Sequence, residues 1–567
     1  MQTFDTLDWI VIGVFCLMLI GVILYVVRQK SNDSADYFLG GKDAGWIAIG
    51  TSIFASNIGS EHLIGLAGAG ASSGMAMAHW EIQGWMILIL GWVFVPFYSR
   101  SMVYTMPEFL ERRYNKQSRT ILSVISLISY VLTKVAVTVY AGGLVFQEVF
   151  GIEKLWGIDF FWIAAIGLVL ITALYTIFGG MKSVLYTSIL QTPILLLGSA
   201  IIVVLGLKEV GGWDEMIAIT SSIEVNDYGD SMANLIRSNN DPDFPWLGAL
   251  IGSSIIGFWY WCTDQYIVQR VLSGKNLKES RRGTIFGAYL KLLPVFLFLI
   301  PGMIAFSIHY QNISAGGEGF LPFLDNGVAN ADAAFPTLVA KLLPAGVKGL
   351  VVCGILAALM SSLASLFNSS AMLFTIDFYK RLKPETPEKK LVKIGQVATL
   401  VIVILGILWI PIMRSVGDVL YTYLQDVQSV LAPGIASAFL LGITWKRTSA
   451  KGGMWGLISG LVIGLTRLGA KVYYSNLADA PDSLFKYLFY DLNWLYFCGW
   501  MFLFCILVVI GVSLATEAPE AQKIKGLVFG TTTKEDNEED RKSWNKWDVI
   551  HSGIILALTG AFYWYFW

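Results

Sequence analysis

Charged residues are scarce in this sequence. Only 14% of its 567 residues are Asp, Glu, Lys or Arg, whereas 55% are hydrophobic. Typical soluble proteins have about 25% charged residues. The net charge of −1 gives no electrostatic reason to bind nucleic acid. The composition excludes a soluble multidomain enzyme and predicts an all-α protein embedded in a bilayer.

Cysteine and histidine are also rare. The five cysteines lie in apolar stretches without the paired spacing of a metal or redox centre, and there are only four histidines. No HExxH segment occurs, and we find neither a metal-binding cluster nor a nucleophile paired with an activating base. These absences argue against an intramembrane enzyme and predict no catalytic residues.

Fourteen apolar runs are each long enough for one bilayer crossing, which takes about 20 residues. They lie near residues 7–27, 46–70, 78–98, 119–148, 158–178, 183–207, 247–269, 283–308, 346–376, 394–413, 417–444, 452–472, 491–515 and 547–567.

The orientation of the chain in the membrane follows from the opening segment and from the distribution of Lys and Arg among the connections. The opening segment MQTFDTLD has no Lys or Arg and lacks the positive start of a cleavable signal peptide, so we expect the first run to be retained with its N-terminus outside. The connections that are then cytoplasmic hold 29 of the 40 Lys and Arg residues. The positive-inside rule therefore predicts a multi-pass protein of the plasma membrane, or of the inner membrane if the cell is bacterial, with both termini outside.

The longest polar stretches, 208–246, 309–345 and 516–546, are too short for an independent core, so the function must lie in the membrane. The predicted division is an extra N-terminal helix with its cytoplasmic connection (1–45), a first five-helix group (46–208), an outer loop (209–246), a second five-helix group (247–444), and C-terminal helices with a cytoplasmic polar loop at 516–546 (445–567).

Two long spans carry polar and glycine interruptions, at 52–70 and 252–266, and each begins one five-helix group. An odd number of crossings inverts the second group relative to the first. Matching interrupted helices are typical of an inverted-repeat secondary transporter, which fits alternating access better than an open channel. The alternative is a pair of glycine-rich packing faces.

Several polar residues lie within the apolar runs and need partners or a water-lined cavity. Glu81 and Lys291 stand in different halves and predict a polar cavity between them. His62 neighbours a predicted break. Asp264 and Arg270 lie near the cytoplasmic end of the other broken helix, where we expect a structural or gating pair.

Consecutive hydroxyls occur deep in one long span, at Ser361 and Ser362. They could back-bond to carbonyls four residues earlier. The more specific hypothesis is a Na⁺ site. Na⁺ prefers oxygen ligands, and a helix break leaves backbone carbonyls available as ligands beside these hydroxyls.

Aromatic residues flank the predicted breaks, in FWYW (258–261) and HW (79–80). Besides marking a membrane interface, such rings can cover the apolar faces of a sugar. Hydrogen-bonding side chains for sugar hydroxyls are available at Asn57, Glu81, Lys291 and Gln425.

At these residues the chain resembles the sodium/glucose cotransporter family of solute:sodium symporters. The resemblance covers nearly the whole chain and is carried, in order, by ADYFLGGKDAGW, FASNIGSEHLIGLAGAG, YTMPEFLERRYNK, IFGGMKSVLYT, WYWCTDQYIVQRVLSGKN, LMSSLASLFNSSAMLFTIDFY and WKRTSAKGGMWG. It implies fourteen helices, a LeuT-type core of two inverted five-helix repeats with discontinuous first helices, and sodium-driven sugar symport.

The resemblance also implies site residues. The Na⁺ site would comprise the carbonyls of Ala55, Ile58 and Ala358 with the hydroxyls of Ser361 and Ser362. The sugar site would comprise Asn57, His62, Glu81, Lys291 and Gln425, with Tyr260 stacking as the inner gate beside Trp261, and Leu66, Trp80 and Tyr421 closing the outer side. Trp80 departs from the Phe or Tyr usual at its position.

The first functional expectation is Na⁺ symport of a neutral hexose, glucose or galactose, because His62 and WYWCTDQ resemble animal glucose carriers. The alternative is myo-inositol, since inositol carriers share much of the WYWC segment. Family members that carry a second Na⁺ have Asp in place of Ser188 and a hydroxyl in place of Ala364, so the resemblance implies one Na⁺ per sugar.

Overall fold

The computed structural model describes residues 4–28, 33–59, 61–324, 327–413, 420–475, 477 and 481–567. Within these ranges, the side chains of residues 131–133, 148, 409–413, 420–423 and 475 are not described.

Helices make up most of the described chain. In the first half, the α-helices are Thr6–Arg28, Ser34–Leu39, Trp46–Asn57, Ala67–Ser72, Ala78–Glu81, Gly84–Ile89, Val95–Ser101, Met106–Arg113, Lys116–Ser129, Ala136–Phe150, Phe160–Val210, Trp213–Ser222, Trp246–Gly257, Gln265–Leu272 and Leu277–Leu290. In the second half, they are Ile300–Ser314, Ala334–Leu342, Val347–Met372, Lys380–Leu382, Glu388–Met413, Leu420–Thr444, Ala450–Ser475, Leu484–Lys486, Trp494–Ala515, Ala521–Ile524, Lys534–Lys542 and Lys546–Tyr565.

Wider and tighter helical turns join several of these segments. The π-helical turns are Glu61–Leu66, Leu90–Phe94, Tyr130–Val135, Phe258–Thr263, Val295–Leu299, Leu373–Tyr379 and Tyr487–Asp491. The 3₁₀ turns are Gly40–Lys42, Gly74–Met77 and Ala331–Ala333. Two short strands, Lys154–Leu155 and Ile158–Asp159, pair antiparallel.

Each of the fourteen apolar runs overlaps helix in the described residues. Nine helical stretches of this part of the chain are long and apolar enough to cross a membrane. The smaller number arises partly because two predicted spans form the single stretch Phe160–Val210, which is broken at Gly180, where φ is 53°. A Cβ at Gly180 would lie 2.4 Å from the Tyr37 carbonyl oxygen, so both backbone conformation and close packing require glycine there.

The first interrupted helix (residues 46–72) breaks where its sequence predicts. Its first half ends at Asn57, and Ile58 is extended, with φ −83° and ψ 105°. The helix resumes through the π turn Glu61–Leu66 and ends at Ser72. The break leaves the last carbonyls of the first half available for contacts outside their own helix.

The second interrupted helix (residues 246–272) breaks at Asp264. Its first half ends in the π turn Phe258–Thr263, and Asp264 is extended, with φ −78° and ψ 127°. The Asp264 side chain accepts a hydrogen bond from the Tyr266 N–H and so caps the second half, Gln265–Leu272. The two predicted interruptions are therefore real breaks, and glycines of the same helices, such as Gly70 and Gly252, also pack closely on neighbouring residues.

Candidate functional site

A buried ion pair links the two halves of the chain at the centre of the candidate site. Lys291 Nζ lies 2.6 Å from Glu81 Oε2, and the two residues are only 2% and 1% exposed. The same ammonium group donates to Asn57 Oδ1 at 3.0 Å. Because a buried charge without a partner is costly, this pairing explains how both groups are tolerated in an apolar protein.

The ion pair connects to both interrupted helices. His62 Nε2, just after the first break, lies 3.3 Å from Glu81 Oε2. Asn57, the last residue before that break, donates through Nδ2 to the Tyr260 hydroxyl at 3.2 Å. Tyr260 belongs to the π turn of the second interrupted helix. Movement of the backbone at either break would therefore shift side chains of the same polar cluster.

Aromatic side chains form another part of the site. The rings of Tyr260 and Trp261 are perpendicular, with centroids 4.9 Å apart, and Trp261 Nε1 donates to Gln83 Oε1 at 3.1 Å. On the other side, Trp80 stacks on Trp494 with a centroid separation of 5.4 Å. These rings offer flat apolar surfaces beside the polar cluster.

The cavity lined by these groups holds about 610 Å³ of space free of protein atoms, part of which is open to solvent. It brings together eight of the residues that the sequence predicted for the substrate site and gates, namely Asn57, His62, Trp80, Glu81, Tyr260, Trp261, Lys291 and Gln425. Leu66 is fully buried and is not part of the described lining. The side chain of Tyr421 lies outside the described residues.

The cavity lining also contains polar residues that sequence reasoning did not place there, namely Glu61, Gln83, Lys134, Thr138 and Gln428. In the sequence, Lys134 is a charged residue inside an apolar run, and Glu61 is the residue before His62. Both signals identify an unusual residue but not the direction in which its side chain points.

The expected pairing of Asp264 with Arg270 is wrong for the described structure. Asp264 Oδ2 instead lies 2.7 Å from Lys134 Nζ, and the carboxylate also accepts from the Tyr130 hydroxyl. Arg270 donates to the Ser56 Oγ at 3.1 Å and to the Tyr266 carbonyl. The two charges therefore anchor the second interrupted helix to different neighbours.

Three of the predicted Na⁺ ligands, Ala55, Ile58 and Ser362, lie at the first break, and the other two, Ala358 and Ser361, lie in the same long helix as Ser362. Ser362 Oγ donates to the carbonyls of Ser56 and Ile58, each at 3.1 Å, and so bonds across to the interrupted helix rather than only within its own. Ser361 Oγ lies 3.4 Å from Ser188 Oγ. Ala55 is in the last turn before the break. Hydroxyl and carbonyl oxygens in a buried place are suitable ligands for a hard monovalent cation.

Comparison with known proteins identifies the class. Residues 37–460 match the Sodium:solute symporter family (SSF). This chain belongs to that family, so it is a sodium-coupled, multi-pass membrane symporter and not an enzyme, and Na⁺ is its coupling ion.

Two human proteins are similar along most of their length. The chain is 38% identical over 539 residues to sodium/myo-inositol cotransporter 2, covering 92% of this chain and 79% of the relative. It is 35% identical over 551 residues to the sodium/myo-inositol cotransporter, covering 93% of this chain and 75% of the relative.

A solved structure has the same fold. A Na⁺-coupled sialic acid symporter in a substrate-bound, outward-open state superimposes with a TM-score of 0.73, covering 91% of this chain and 99% of that one. The identity is 21%, so the likeness concerns the fold alone. With the two interrupted helices, it confirms the LeuT-type fold that the resemblance predicted.

Proposed function

We propose that this protein couples the transport of myo-inositol to the inward movement of Na⁺. The sequence resemblance placed a hexose first and myo-inositol second. The relatives support the second choice, because both human proteins described above are named as myo-inositol cotransporters. Both substrates are neutral six-membered rings with many hydroxyls, so the same cavity chemistry serves either.

The observation that carries this proposal is the Glu81–Lys291 pair in a cavity with aromatic walls. The carboxylate accepts hydrogen bonds and the ammonium donates them, so the pair can bond two neighbouring hydroxyls. Because its charges cancel, the pair does not demand a charged substrate. A neutral polyol satisfies the polar groups while its ring faces contact the aromatic side chains.

The remaining site residues take roles consistent with their positions. Asn57, His62 and Gln425 complete the hydroxyl contacts, Tyr260 covers the ring as the inner gate, and Trp261 supports it. Leu66, Trp80 and Tyr421 close the outer side, although only Trp80 has a described position at the cavity.

For Na⁺ we propose the carbonyls of Ala55, Ile58 and Ala358 with the hydroxyls of Ser361 and Ser362. The contact of Ser362 with the carbonyl at the break supports this set. The ion would join the first interrupted helix to the long helix Val347–Met372, which explains how its binding could favour one arrangement of the two. We further propose one Na⁺ per substrate, inverted repeats at 46–208 and 247–444, and both termini outside.

Uptake into proteoliposomes tests the substrate. Labelled myo-inositol, glucose and galactose are supplied with an inward Na⁺ gradient, or with K⁺ replacing Na⁺. We expect Na⁺-dependent accumulation of myo-inositol with higher apparent affinity than either hexose. Preferential accumulation of glucose or galactose would support a hexose as the substrate instead. Equal uptake with Na⁺ and with K⁺ would contradict the proposed coupling to Na⁺.

Ser362→Ala tests the Na⁺ site. The change removes one oxygen ligand at little packing cost, so we expect weaker Na⁺ activation of uptake and, because coupling is reciprocal, a lower substrate affinity at fixed Na⁺. Ser307→Ala is the matched control, because the Ser307 hydroxyl only back-bonds to the Met303 carbonyl. Equal Na⁺ activation in both variants would show that Ser362 is not a ligand.

A further inference from the structure

One carboxylate in the cavity has an oxygen without a hydrogen-bond partner among the described residues. Glu81 lies 2.6 Å from the Lys291 ammonium, and Asp264 lies 2.7 Å from that of Lys134. Glu61, the first residue of the π turn after the first break, lines the same cavity. Its Oε2 is shielded from solvent and has no hydrogen-bond donor among the residues that the structure describes.

The imidazole of His62, next to Glu61, is too far away to donate a hydrogen bond to this carboxylate. His62 Nδ1 lies 3.9 Å from Glu61 Oε1, beyond hydrogen-bond distance, and its Nε2 faces Glu81 instead. A buried acceptor without a donor is unfavourable, so the Glu61 carboxylate is expected to find a donor when the cavity is filled.

Two more polar atoms of the cavity lining also lack a described hydrogen-bond partner. Within the described part of the chain, Gln425 Oε1 and Trp80 Nε1 are buried without a hydrogen-bond partner. Together with Glu61 Oε2, these atoms are two acceptors and one donor that the cavity can offer to a ligand. A ligand that bonds all three must supply two hydroxyl hydrogens and one acceptor.

This requirement separates the two candidate substrates. Inositol has a hydroxyl on every ring carbon, whereas a hexopyranose has a ring oxygen at one position, which accepts hydrogen bonds but cannot donate them. A carboxylate also only accepts, so a ring oxygen beside it would leave two acceptors facing each other.

We propose that Glu61 is a specificity-determining residue that selects a cyclitol over a pyranose. It does so by accepting a hydrogen bond from the hydroxyl at the ring position where a pyranose has its oxygen. This inference rests on the proposed function, because it assumes that the cavity binds a six-membered polyol.

Glu61→Gln is the informative change, because it keeps the size of the side chain and replaces a pure acceptor with an amide that can also donate to a ring oxygen. We expect the apparent affinity for myo-inositol to fall roughly tenfold, because a hydrogen bond to a charged acceptor becomes one to a neutral amide oxygen. The affinity for glucose should stay constant or rise.

The test measures competition by unlabelled myo-inositol, glucose and single deoxy-inositols against labelled myo-inositol in proteoliposomes. In the unmodified protein, removal of one particular hydroxyl should weaken competition, and Glu61→Gln should remove that discrimination. Glu318→Gln, at an exposed position shortly after helix Ile300–Ser314, is the control and should keep the original selectivity.

Two outcomes would overturn the inference. Glu61→Gln could leave the ratio of the two affinities unchanged, or it could weaken all competitors equally, which would indicate a structural role. These failures are distinct from failure of the proposed function. If the unmodified protein does not carry myo-inositol, the proposed substrate is wrong whatever Glu61→Gln does.

Discussion

Among single residues, the most sensitive position is Glu81. Its carboxylate is held by the Lys291 ammonium at 2.6 Å in a place with almost no solvent contact. Glu81→Ala should reduce substrate affinity roughly tenfold to a hundredfold, because a substrate hydroxyl loses a charged acceptor. It should also leave Lys291 without its ionic partner.

Binding to the purified variant, measured by calorimetry, checks this prediction separately from expression. If the folded Glu81→Ala protein has the same affinity as the unmodified protein for the proposed substrate, myo-inositol, Glu81 has a structural role only.

Individual site residues were predictable to different degrees. Glu81 and Lys291 could be recognised from physics alone, because an ionisable residue in an apolar run requires a partner. Asn57 and Gln425 are ordinary polar residues that the sequence offers only as available hydrogen-bonding groups, and the family resemblance added their assignment to the site. Glu61 was missed because its side-chain direction depends on the π turn that it begins, which no periodic pattern indicates.

At the level of helices, a single glycine allows two spans to meet. Gly180 has a φ of 53°, and an added Cβ would approach the Tyr37 carbonyl oxygen to 2.4 Å. Gly180→Ala should therefore destabilise the protein by roughly 2 kcal/mol or more, combining the cost of left-handed backbone with that of the clash.

The thermal midpoint of the detergent-solubilised protein checks this prediction, with Gly167→Ala as the matched control. Gly167 lies in the same helical stretch, and a Cβ there would contact nothing within 4 Å. We expect the control to melt at or slightly above the temperature of the unmodified protein. Similar midpoints for the two variants would contradict the assigned role of Gly180.

The contact between Lys134 and Asp264 fixes the second interrupted helix at its break. Lys134→Met should destabilise the protein by about 3–5 kcal/mol, because it leaves a buried carboxylate uncompensated. Adding Asp264→Asn should recover much of the loss.

Thermal midpoints of the single and double variants measure this coupling. Lys208→Met, at an exposed helix end, is the control. A double variant as unstable as Lys134→Met would show that the two side chains act independently.

Helices and their breaks could be predicted because their causes are local. A crossing needs a long apolar run, and an interruption shows as polar and small residues inside it. The partner of Asp264 could not be predicted in this way. Arg270 lies a turn and a half further along the chain, whereas Lys134 is 130 residues away and reaches Asp264 only through tertiary packing.

For the whole molecule, the testable quantity is the number of Na⁺ ions per substrate. In place of the carboxylate expected for a second Na⁺, this chain has Ser188, whose hydroxyl already donates to the Val184 carbonyl at 2.6 Å. Ala364, fully buried, supplies no side-chain oxygen. A second ion would therefore lack ligands that offset its loss of water, and we expect one Na⁺ per substrate.

Reversal potentials in proteoliposomes with set Na⁺ and substrate gradients measure this ratio. A tenfold Na⁺ gradient supplies about 1.4 kcal/mol and 100 mV about 2.3 kcal/mol per charge. One ion then sustains roughly five-hundredfold accumulation and two ions on the order of 10⁵-fold. A slope that fits two ions would show that Ser188 does not mark a lost site.

The π turns have a consequence for how this sequence can diverge. A π turn has one residue more than an α-helical turn. Deletion of one residue within Phe258–Thr263 would therefore convert this turn to regular α-helix, at little cost to its own hydrogen bonds. It would also rotate the preceding segment by about 100° relative to the rest, since an α-helix has 3.6 residues per turn. Tyr260 and Trp261 could not both keep their places at the cavity. Related transporters should therefore vary in amino acid at these turns while alignments across them stay free of gaps.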